Sequence, residues 1–110
     1  MIIYGLKNCD TCRKAIKALN EAGISHHLAD VREDGVPSET LRRAQAQFGD
    51  ALVNTRSTTW RGLSESERAT PALELLAKHP ALMKRPLIDA RGALYLGWTQ
   101  TVQNLLLQDG

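Results

Sequence analysis

Two cysteines at C-x-x-C spacing, Cys9 and Cys12, are the residues of this sequence best suited to chemistry, and the chain contains no other cysteine. A thiolate is a nucleophile, and two thiols one helical turn apart are close enough to form an internal disulfide. The spacing therefore predicts thiol–disulfide redox chemistry. Two other interpretations stay open: a pair of buried cysteines that only pack, and half of a zinc site. For the zinc site, His26, His27 and His79 lack the spacing of further ligands.

A strand followed by a helix is predicted to position these cysteines. Met1–Tyr4 is typical of a short buried strand. The helix is indicated by apolar residues at i, i+3, i+4 and i+7 spacing: Cys12, Ala15, Ile16, Leu19 and Ala22. Cys9 is thereby placed where helix N–H groups lack carbonyl partners and carry partial positive charge. Because those groups stabilise a thiolate, we expect a lowered pKa at Cys9 and not at Cys12.

The strands and helices that follow predict an α/β fold. His27–Val31 is expected to be a second strand, completing a βαβ unit with parallel strands. Pro86–Asp89 and Ala93–Leu96 are expected to form an antiparallel hairpin around the turn Ala90–Gly92, with a closing helix after Gly97. A C-x-x-C beside a βαβ unit is typical of the thioredoxin superfamily. The order βαβ, helical block and ββα thus predicts its mixed four-stranded sheet.

The block between the two parts of the sheet is predicted to be helical. Its helix signals are an N-cap at Ser38, a capping box of Ser64 and Glu67, and a helix start at Thr70 and Pro71. Residues 51–61 show no clean period and are expected to be a loop or short turn. We expect a single domain over 1–110, with a thioredoxin-like core at about 1–35 and 84–110 and an all-helical insertion at about 38–80.

Composition excludes several classes of protein. The hydrophobic fraction of 43% argues against a disordered chain, and a net charge of +2 gives no basis for direct nucleic-acid binding. No apolar run approaches the roughly 18 residues of a membrane span. The N-terminus shows no signal-peptide pattern, so we expect a cytoplasmic protein without membrane contact. Because thiols stay reduced in that compartment, the cysteines are expected to be catalytic, redox-sensing or metal-binding rather than a static disulfide.

Three arginines and one proline are candidates for holding a substrate. Arg13 follows Cys9 by four residues and is expected near its thiol, whereas Arg56 and Arg85 stand in otherwise uncharged surroundings. An arginine fork there would hold a carboxylate or an oxyanion, the alternative being a purely structural role. Proline before a strand is ordinarily an edge residue. In a thioredoxin-like sheet, however, a cis proline at the position of Pro86 faces the cysteine turn and pairs with a bound thiol peptide.

Four motifs together resemble the ArsC/Spx family, and most closely its YffB-like branch. They are NCDTCRKA (Asn8–Ala15), NTRSTTWR (Asn54–Arg61), HPALMKRPLI (His79–Ile88) and GW (Gly97–Trp98). The resemblance runs from Met1 to about Leu107. It implies a thioredoxin-like fold with an all-helical insertion, the same architecture that the elements predict.

Arsenate reduction is one activity that the resemblance suggests. In arsenate reductases of this family a cysteine attacks arsenate and three arginines hold the oxyanion. Cys9 matches that cysteine, and Arg56 and Arg85 match two of the arginines. The third arginine falls in the segment around Gly97, which has none, and the arsenate enzymes generally lack a cysteine where this chain has Cys12. Both departures count against arsenate as the substrate.

The other branches point to thiol redox chemistry. Spx-like members use C-x-x-C as a redox switch and bind RNA polymerase, so a redox-sensitive transcription regulator remains an alternative, as does arsenate reductase. YffB-like members resemble thiol reductases that use glutathione. We therefore predict a thiol–disulfide oxidoreductase with Cys9 as nucleophile and Cys12 as resolving thiol. Glutathione is the expected co-substrate, with a small thiol or disulfide as substrate and no tightly bound cofactor or metal. The predicted substrate-binding residues are Arg13, Arg56, Arg85 and Pro86.

Overall fold

The computed structural model describes residues 1–107 and divides the chain into two compact units. The first unit contains Met1–Asp30 and the chain from Arg85 onward, and the second contains Val31–Lys84. Within residues 1–107 every strand lies in the first unit, as do both cysteines, whereas helices make up most of the second. No helix in this range is both long and apolar enough to cross a lipid bilayer.

A mixed four-stranded sheet forms the first unit. Its strands are β1 (Ile2–Gly5), β2 (His27–Asp30), β3 (Leu87–Ala90) and β4 (Ala93–Leu96), in the order β2-β1-β3-β4. β1 runs parallel to β2, and the pairs β1–β3 and β3–β4 are antiparallel. The predicted α/β, thioredoxin-like sheet is thereby confirmed.

The hairpin turn is shorter than predicted. Ala90 was expected in the turn, but it belongs to β3 and pairs with Ala93. Only Arg91 and Gly92 connect the strands, and both have positive φ, +54° and +79°. Two residues of positive φ are the usual two-residue hairpin connection, because their twist matches that of the strands.

The first helix, α1 (Asp10–Glu21), begins directly after Cys9. Its fully buried residues are Cys12, Ala15 and Leu19. Ile16 is half-buried and Ala22 is exposed, so the predicted apolar face is narrower than its spacing suggested. Ala22 is exposed because it is the C-cap, after which Gly23 adopts a φ of +72° and turns the chain away.

Four α-helices lie in the second unit. They are α2 (Ser38–Phe48), α3 (Thr58–Arg61), α4 (Glu65–Arg68) and α5 (Ala72–Lys78). The predicted capping box at α4 is confirmed, since Glu67 N–H donates to Ser64 Oγ and Ser64 N–H donates to Glu67 Oε1, both at 3.2 Å. α3 corrects the prediction of a loop or short turn over 51–61. Ser57 caps this short helix by accepting the Trp60 N–H at 3.1 Å.

Two helix starts are displaced by one residue from their predicted places. Ser38 was predicted as an N-cap but is the first residue of α2, with Pro37 at the cap. Thr70 was predicted as the cap of α5, but Pro71 occupies that position. The two prolines have φ of −53° with ψ of 139° and 142°, the extended backbone that a cap residue adopts. A proline also leaves no N–H donor without an acceptor there, because it has no N–H.

The core of the first unit joins the sheet to α1 and the closing helix α6 (Gln100–Leu107). Its buried cluster consists of Ile3, Leu19, Ile88, Ala90, Val102 and Leu106. Leu19 and Ile3 are completely buried, so α1 is fixed against β1 by apolar packing along its inner face. That packing fixes the start of α1, and with it both cysteines, at the end of β1.

Candidate active site

A tight turn carries the chain from β1 into α1 and places Cys9 at the helix start. Cys9 N–H donates to Leu6 O at 3.2 Å, closing the turn, and Arg13 N–H donates to Cys9 O at 2.9 Å as the first bond of the helix. Cys9 is the N-cap with an extended backbone, as predicted for a strand-to-helix turn. Both cysteines are free thiols, Cys9 partly exposed and Cys12 fully buried.

The environment of Cys9 favours its thiolate. Burial raises its pKa, but the Cys12 N–H, the Cys12 thiol and the Arg85 guanidinium lower it by more, so the pKa of Cys9 lies below its ordinary value. Within residues 1–107 the Cys9 thiol itself closes no capping hydrogen bond to α1. The Cys12 N–H lowers the pKa of Cys9 because it favours the charged form, which is the better acceptor.

The environment of Cys12 favours its thiol. Burial is the largest cause, and it raises the pKa of Cys12 to about 11. A hydrogen bond from the Leu6 N–H works against burial, and Arg85 does so more weakly, whereas the neighbouring Cys9 charge adds to the rise. The two pKa values therefore move apart in the order predicted from the sequence. Cys9 is therefore the more readily ionised of the two thiols, and Cys12 keeps its proton at neutral pH.

Arg85 and Pro86 lie at the start of β3, beside the cysteine turn. The β1–β3 register pairs Tyr4 with Leu87, so the chain just before β3 runs alongside the end of β1. Arg85 is half-buried and acts on Cys9 through a side-chain hydrogen bond and its charge. The Arg85–Pro86 peptide bond is cis, as expected for a thioredoxin-like sheet. The structure thus brings Arg85 to the Cys9 thiol, and Pro86 follows it directly in the chain, immediately before β3.

The Arg13 side chain contacts the turn between β1 and α1. Its Nε donates to Lys7 O at 3.0 Å, and its Nη1 lies 3.9 Å from Asp10 Oδ1, with the Arg13 side chain 63% exposed. The cation that lowers the pKa of Cys9 is Arg85, from a different element. A role for Arg13 in substrate binding stays a prediction.

Arg56 belongs to the second unit. It is exposed in the turn before α3, and its N–H donates to Asn54 Oδ1 at 3.1 Å. Together with Lys84 and Asn54 it lines a cavity of about 610 Å³ in that unit. Binding of an anionic substrate by Arg56 stays a prediction. Within residues 1–107 no three His, Cys, Asp or Glu side chains lie close enough to hold a metal ion.

The contribution of the end of β1 to the site was not predicted from the sequence. β1 extends to Gly5, one residue beyond the predicted strand, and Leu6 bonds to both cysteines. One signal was available, because a glycine directly after a strand pattern often marks a close approach of another group.

The chain is similar to one known protein family, to several relatives in sequence and to several solved structures. The ArsC family model matches residues 4–103. An uncharacterized protein from Haemophilus influenzae is 47% identical over 103 residues, which cover 89% of this chain and 90% of that protein. The global transcriptional regulator Spx of Listeria innocua is 26% identical over 104 residues, covering 89% and 79%. Among solved structures, the YFFB (PA3664) protein superposes with a TM-score of 0.88 at 32% identity, covering 96% of this chain and 97% of that one.

These relatives confirm the resemblance that the four motifs indicated. The match of the family model spans most of the chain and includes the cysteine turn, Arg56 and the Arg85–Pro86 pair. This protein therefore belongs to the ArsC family, and Spx regulators are among its relatives.

Proposed function

We propose that this protein is a thiol–disulfide oxidoreductase in which Cys9 is the nucleophile and Cys12 is the resolving thiol. The observation that carries the proposal is the placement of a partly exposed Cys9 at the start of α1 and a fully buried Cys12 one helical turn later, which lowers the pKa of Cys9 and raises that of Cys12 to about 11. An attacking cysteine needs thiolate at neutral pH, whereas a resolving cysteine that stays protonated does not compete for the substrate.

The reaction is a pair of thiol–disulfide exchanges. The Cys9 thiolate attacks one sulfur of a substrate disulfide, forms a mixed disulfide and expels the other sulfur as a thiolate, which takes up a proton. Cys12 then loses its proton and attacks the Cys9 sulfur. This attack releases the second substrate thiol and leaves a Cys9–Cys12 disulfide. Two glutathione molecules, oxidised together to glutathione disulfide, return the pair to thiols.

Glutathione as co-substrate is supported by the cations that the chain offers to its carboxylates. Arg85 already acts on the Cys9 sulfur, and we assign it to the anionic part of the substrate. Arg13 and Arg56 are assigned to the same task, and Pro86 to presenting backbone groups to a bound thiol peptide. No tightly bound cofactor is part of this proposal. We place the protein in the cytoplasm, where reduced glutathione is abundant.

Arsenate reduction is less well supported. Gly97 stands where the resemblance expects a third arginine, its φ is +79°, and its N–H donates to Pro86 O at 2.8 Å. An arginine in that conformation would be strained, because L side chains rarely adopt positive φ. Cys12 in addition offers an internal route that competes with arsenate chemistry.

A glutathione-coupled assay tests the proposal. Reduction of a small mixed disulfide is followed through glutathione oxidation, with Cys9→Ser, Arg85→Gln and Arg56→Gln alongside. We expect Cys9→Ser to be inactive, and the arginine variants to lose more activity on anionic substrates than on neutral ones. Wild-type turnover no faster than that of Cys9→Ser contradicts the enzymatic proposal. Equal losses on both substrate classes contradict the roles of the arginines.

A redox-controlled transcription regulator is the second candidate, and the likeness to the Listeria Spx protein favours it. In that case the Cys9–Cys12 pair would act as a switch for binding RNA polymerase. The oxidised and the reduced protein would then differ in the amount of RNA polymerase that they retain in a pulldown. Equal retention by both forms rules this candidate out.

A further inference from the structure

Gly5 is the last residue of β1, at a position where the backbone does not require glycine. It pairs with Asp30 of β2, and its φ lies outside the positive range that favours glycine. Glycine is costly inside a strand, because it contributes no side chain to packing and loses more conformational freedom than any other residue. Its presence here indicates that another group needs the space.

The Cys12 sulfur occupies that space. A Cβ atom built on Gly5 would lie 2.5 Å from Cys12 Sγ, a separation that real Cβ atoms essentially never show. Its distances to Cys12 Cβ, 3.5 Å, and to Leu28 Cδ1, 3.7 Å, are ordinary van der Waals contacts. The sulfur is therefore the only one of these three neighbouring atoms that would have to move.

The strand and the helix face each other in register at this point. Ile3 and Gly5 are two residues apart in β1, so they lie on the same face of the strand. Ile3 packs in the core cluster with Leu19 of α1, and Gly5 lies against Cys12, which precedes Leu19 by seven residues on the same helix face. A side chain at position 5 would take the place that the buried thiol fills.

Leu6, the next residue, holds both cysteines through its backbone. Its carbonyl accepts the Cys9 N–H at 3.2 Å, and its N–H bonds to the Cys12 sulfur. Both bonds depend on the path of the chain between Gly5 and Cys9. Space at Gly5 and a donor at Leu6 thus form one seat for the Cys12 thiol, defined here as the thiol seat.

We propose that Gly5 is a positioning residue for the resolving step: its missing side chain lets the Cys12 sulfur settle in the thiol seat, from which it attacks the Cys9 mixed disulfide. This inference rests on the proposed function. In the step, Cys12 gives its proton to water, its thiolate bonds to Cys9 Sγ, and the bound glutathione leaves as a thiolate that is then protonated. No other oxidant is needed, because the mixed disulfide itself is reduced.

The thiol seat gains importance once Cys9 has reacted. The charge on Cys9 is one of the influences that keep Cys12 protonated, and it disappears when Cys9 enters a mixed disulfide. The Leu6 N–H and Arg85 remain to favour the Cys12 thiolate. A sulfur displaced from the seat by Gly5→Ala loses the Leu6 donor at the step where the thiolate has to form.

The lifetime of the glutathione adduct on Cys9 tests this role. Reduced protein is mixed with oxidised glutathione and quenched with acid at intervals, and its intact mass is measured across pH 6 to 11. We expect Gly5→Ala to resolve the adduct about tenfold more slowly at pH 7, with its pH midpoint shifted upward by about one unit. Gly62→Ala is the matched control, because a Cβ at Gly62 meets only atoms at 3.6 Å and beyond. A Gly5→Ala lifetime and pH profile equal to those of Gly62→Ala overturn the proposal.

A double-mutant cycle, measured by urea unfolding, tests the thiol seat independently of the enzymatic function. Urea unfolding is compared for Gly5→Ala in the wild-type background and in a Cys12→Ala background, which lacks the sulfur. We expect Gly5→Ala to lower the urea midpoint, or to prevent folding, only where the Cys12 sulfur is present. An equal fall of the urea midpoint in both backgrounds contradicts the proposal that Gly5 makes room for the Cys12 sulfur. A wild type that forms neither adduct nor internal disulfide overturns the proposed function and the resolving role, while the cycle still decides whether Gly5 makes room for the thiol.

Discussion

Iodoacetamide is predicted to alkylate Cys9 faster than Cys12 in the reduced protein at pH 7. The reagent consumes thiolates, so each rate depends on the fraction of that cysteine which is ionised. The pKa of Cys9 lies below its ordinary value of 9.0, and the pKa of Cys12 is raised to about 11. The two thiolate fractions at pH 7 therefore differ by at least about 100-fold, since each pKa unit is a factor of ten.

Two further effects change this ratio in opposite directions. A thiolate of higher pKa is intrinsically more nucleophilic, which over about two pKa units returns roughly eightfold to Cys12. Burial favours Cys9, because Cys12 is 0% exposed and Cys9 is partly exposed. The net expectation is a preference for Cys9 of about tenfold or more.

Peptide mass spectrometry after brief labelling with limiting reagent measures both initial rates in the same sample. The labelling rate of Cys9 should rise with a midpoint below pH 9, and Cys12 should react appreciably only as the pH approaches 11. Protein unfolded in urea is the control, where the two cysteines should react alike. Equal labelling in the folded protein at pH 7, or faster labelling of Cys12, refutes the assigned roles.

Three other predictions follow from individual contacts. Arg85→Gln should raise the pKa of Cys9, seen as an upward shift of its alkylation midpoint, whereas Arg13→Gln should leave that midpoint in place. Unfolding of the reduced protein should show a pH-dependent contribution from Cys12. Its folded pKa is raised, so its stabilisation is complete below pH 9 and is lost as pH rises toward 11, by about 2 kcal/mol. Above pH 9 the contribution of Cys9, whose pKa is lowered, stays constant, and Cys12→Ala should lack the loss. Leu19→Ala should cost about 3 kcal/mol in urea unfolding, because Leu19 is completely buried in the core.

Each of these predictions has a contrary outcome. Equal midpoint shifts in the two arginine variants would mean that general surface charge, not the contact from Arg85, sets the pKa of Cys9. A loss of stability above pH 9 that persists in Cys12→Ala would assign it to other groups. A cost below about 1 kcal/mol for Leu19→Ala would contradict the packing of α1 on the sheet.

Local signals in the sequence predicted the placement of the cysteines. The apolar period of α1, the strand before it and the C-x-x-C between them are readable within about 20 residues, and they place Cys9 at the helix start. The hairpin and the capping box of α4 were predicted for the same reason. Prolines at helix starts were less well predicted, since the same residue suits the cap and the first helical position, as at Pro37 and Pro71.

Such local patterns could not predict contacts between segments that lie far apart in the sequence. The effect of Arg85 on Cys9 depends on the pairing of β1 with β3, which joins residues more than 70 positions apart in the chain. The full burial of Cys12 and the space at Gly5 likewise arise from packing α1 on the strand. Sequence therefore predicted which cysteine has the lower pKa, and the structure added how the other one is held.

The most direct measurement of the central claim is the intact mass of the reduced protein after brief exposure to oxidised glutathione, with Cys9→Ser and Cys12→Ser alongside. We predict that the wild type loses two hydrogens and that Cys12→Ser retains one glutathione, while Cys9→Ser remains essentially unmodified. A glutathione adduct trapped in Cys9→Ser and absent from Cys12→Ser would reverse the roles of the two cysteines. A wild type of unchanged mass would contradict the account altogether.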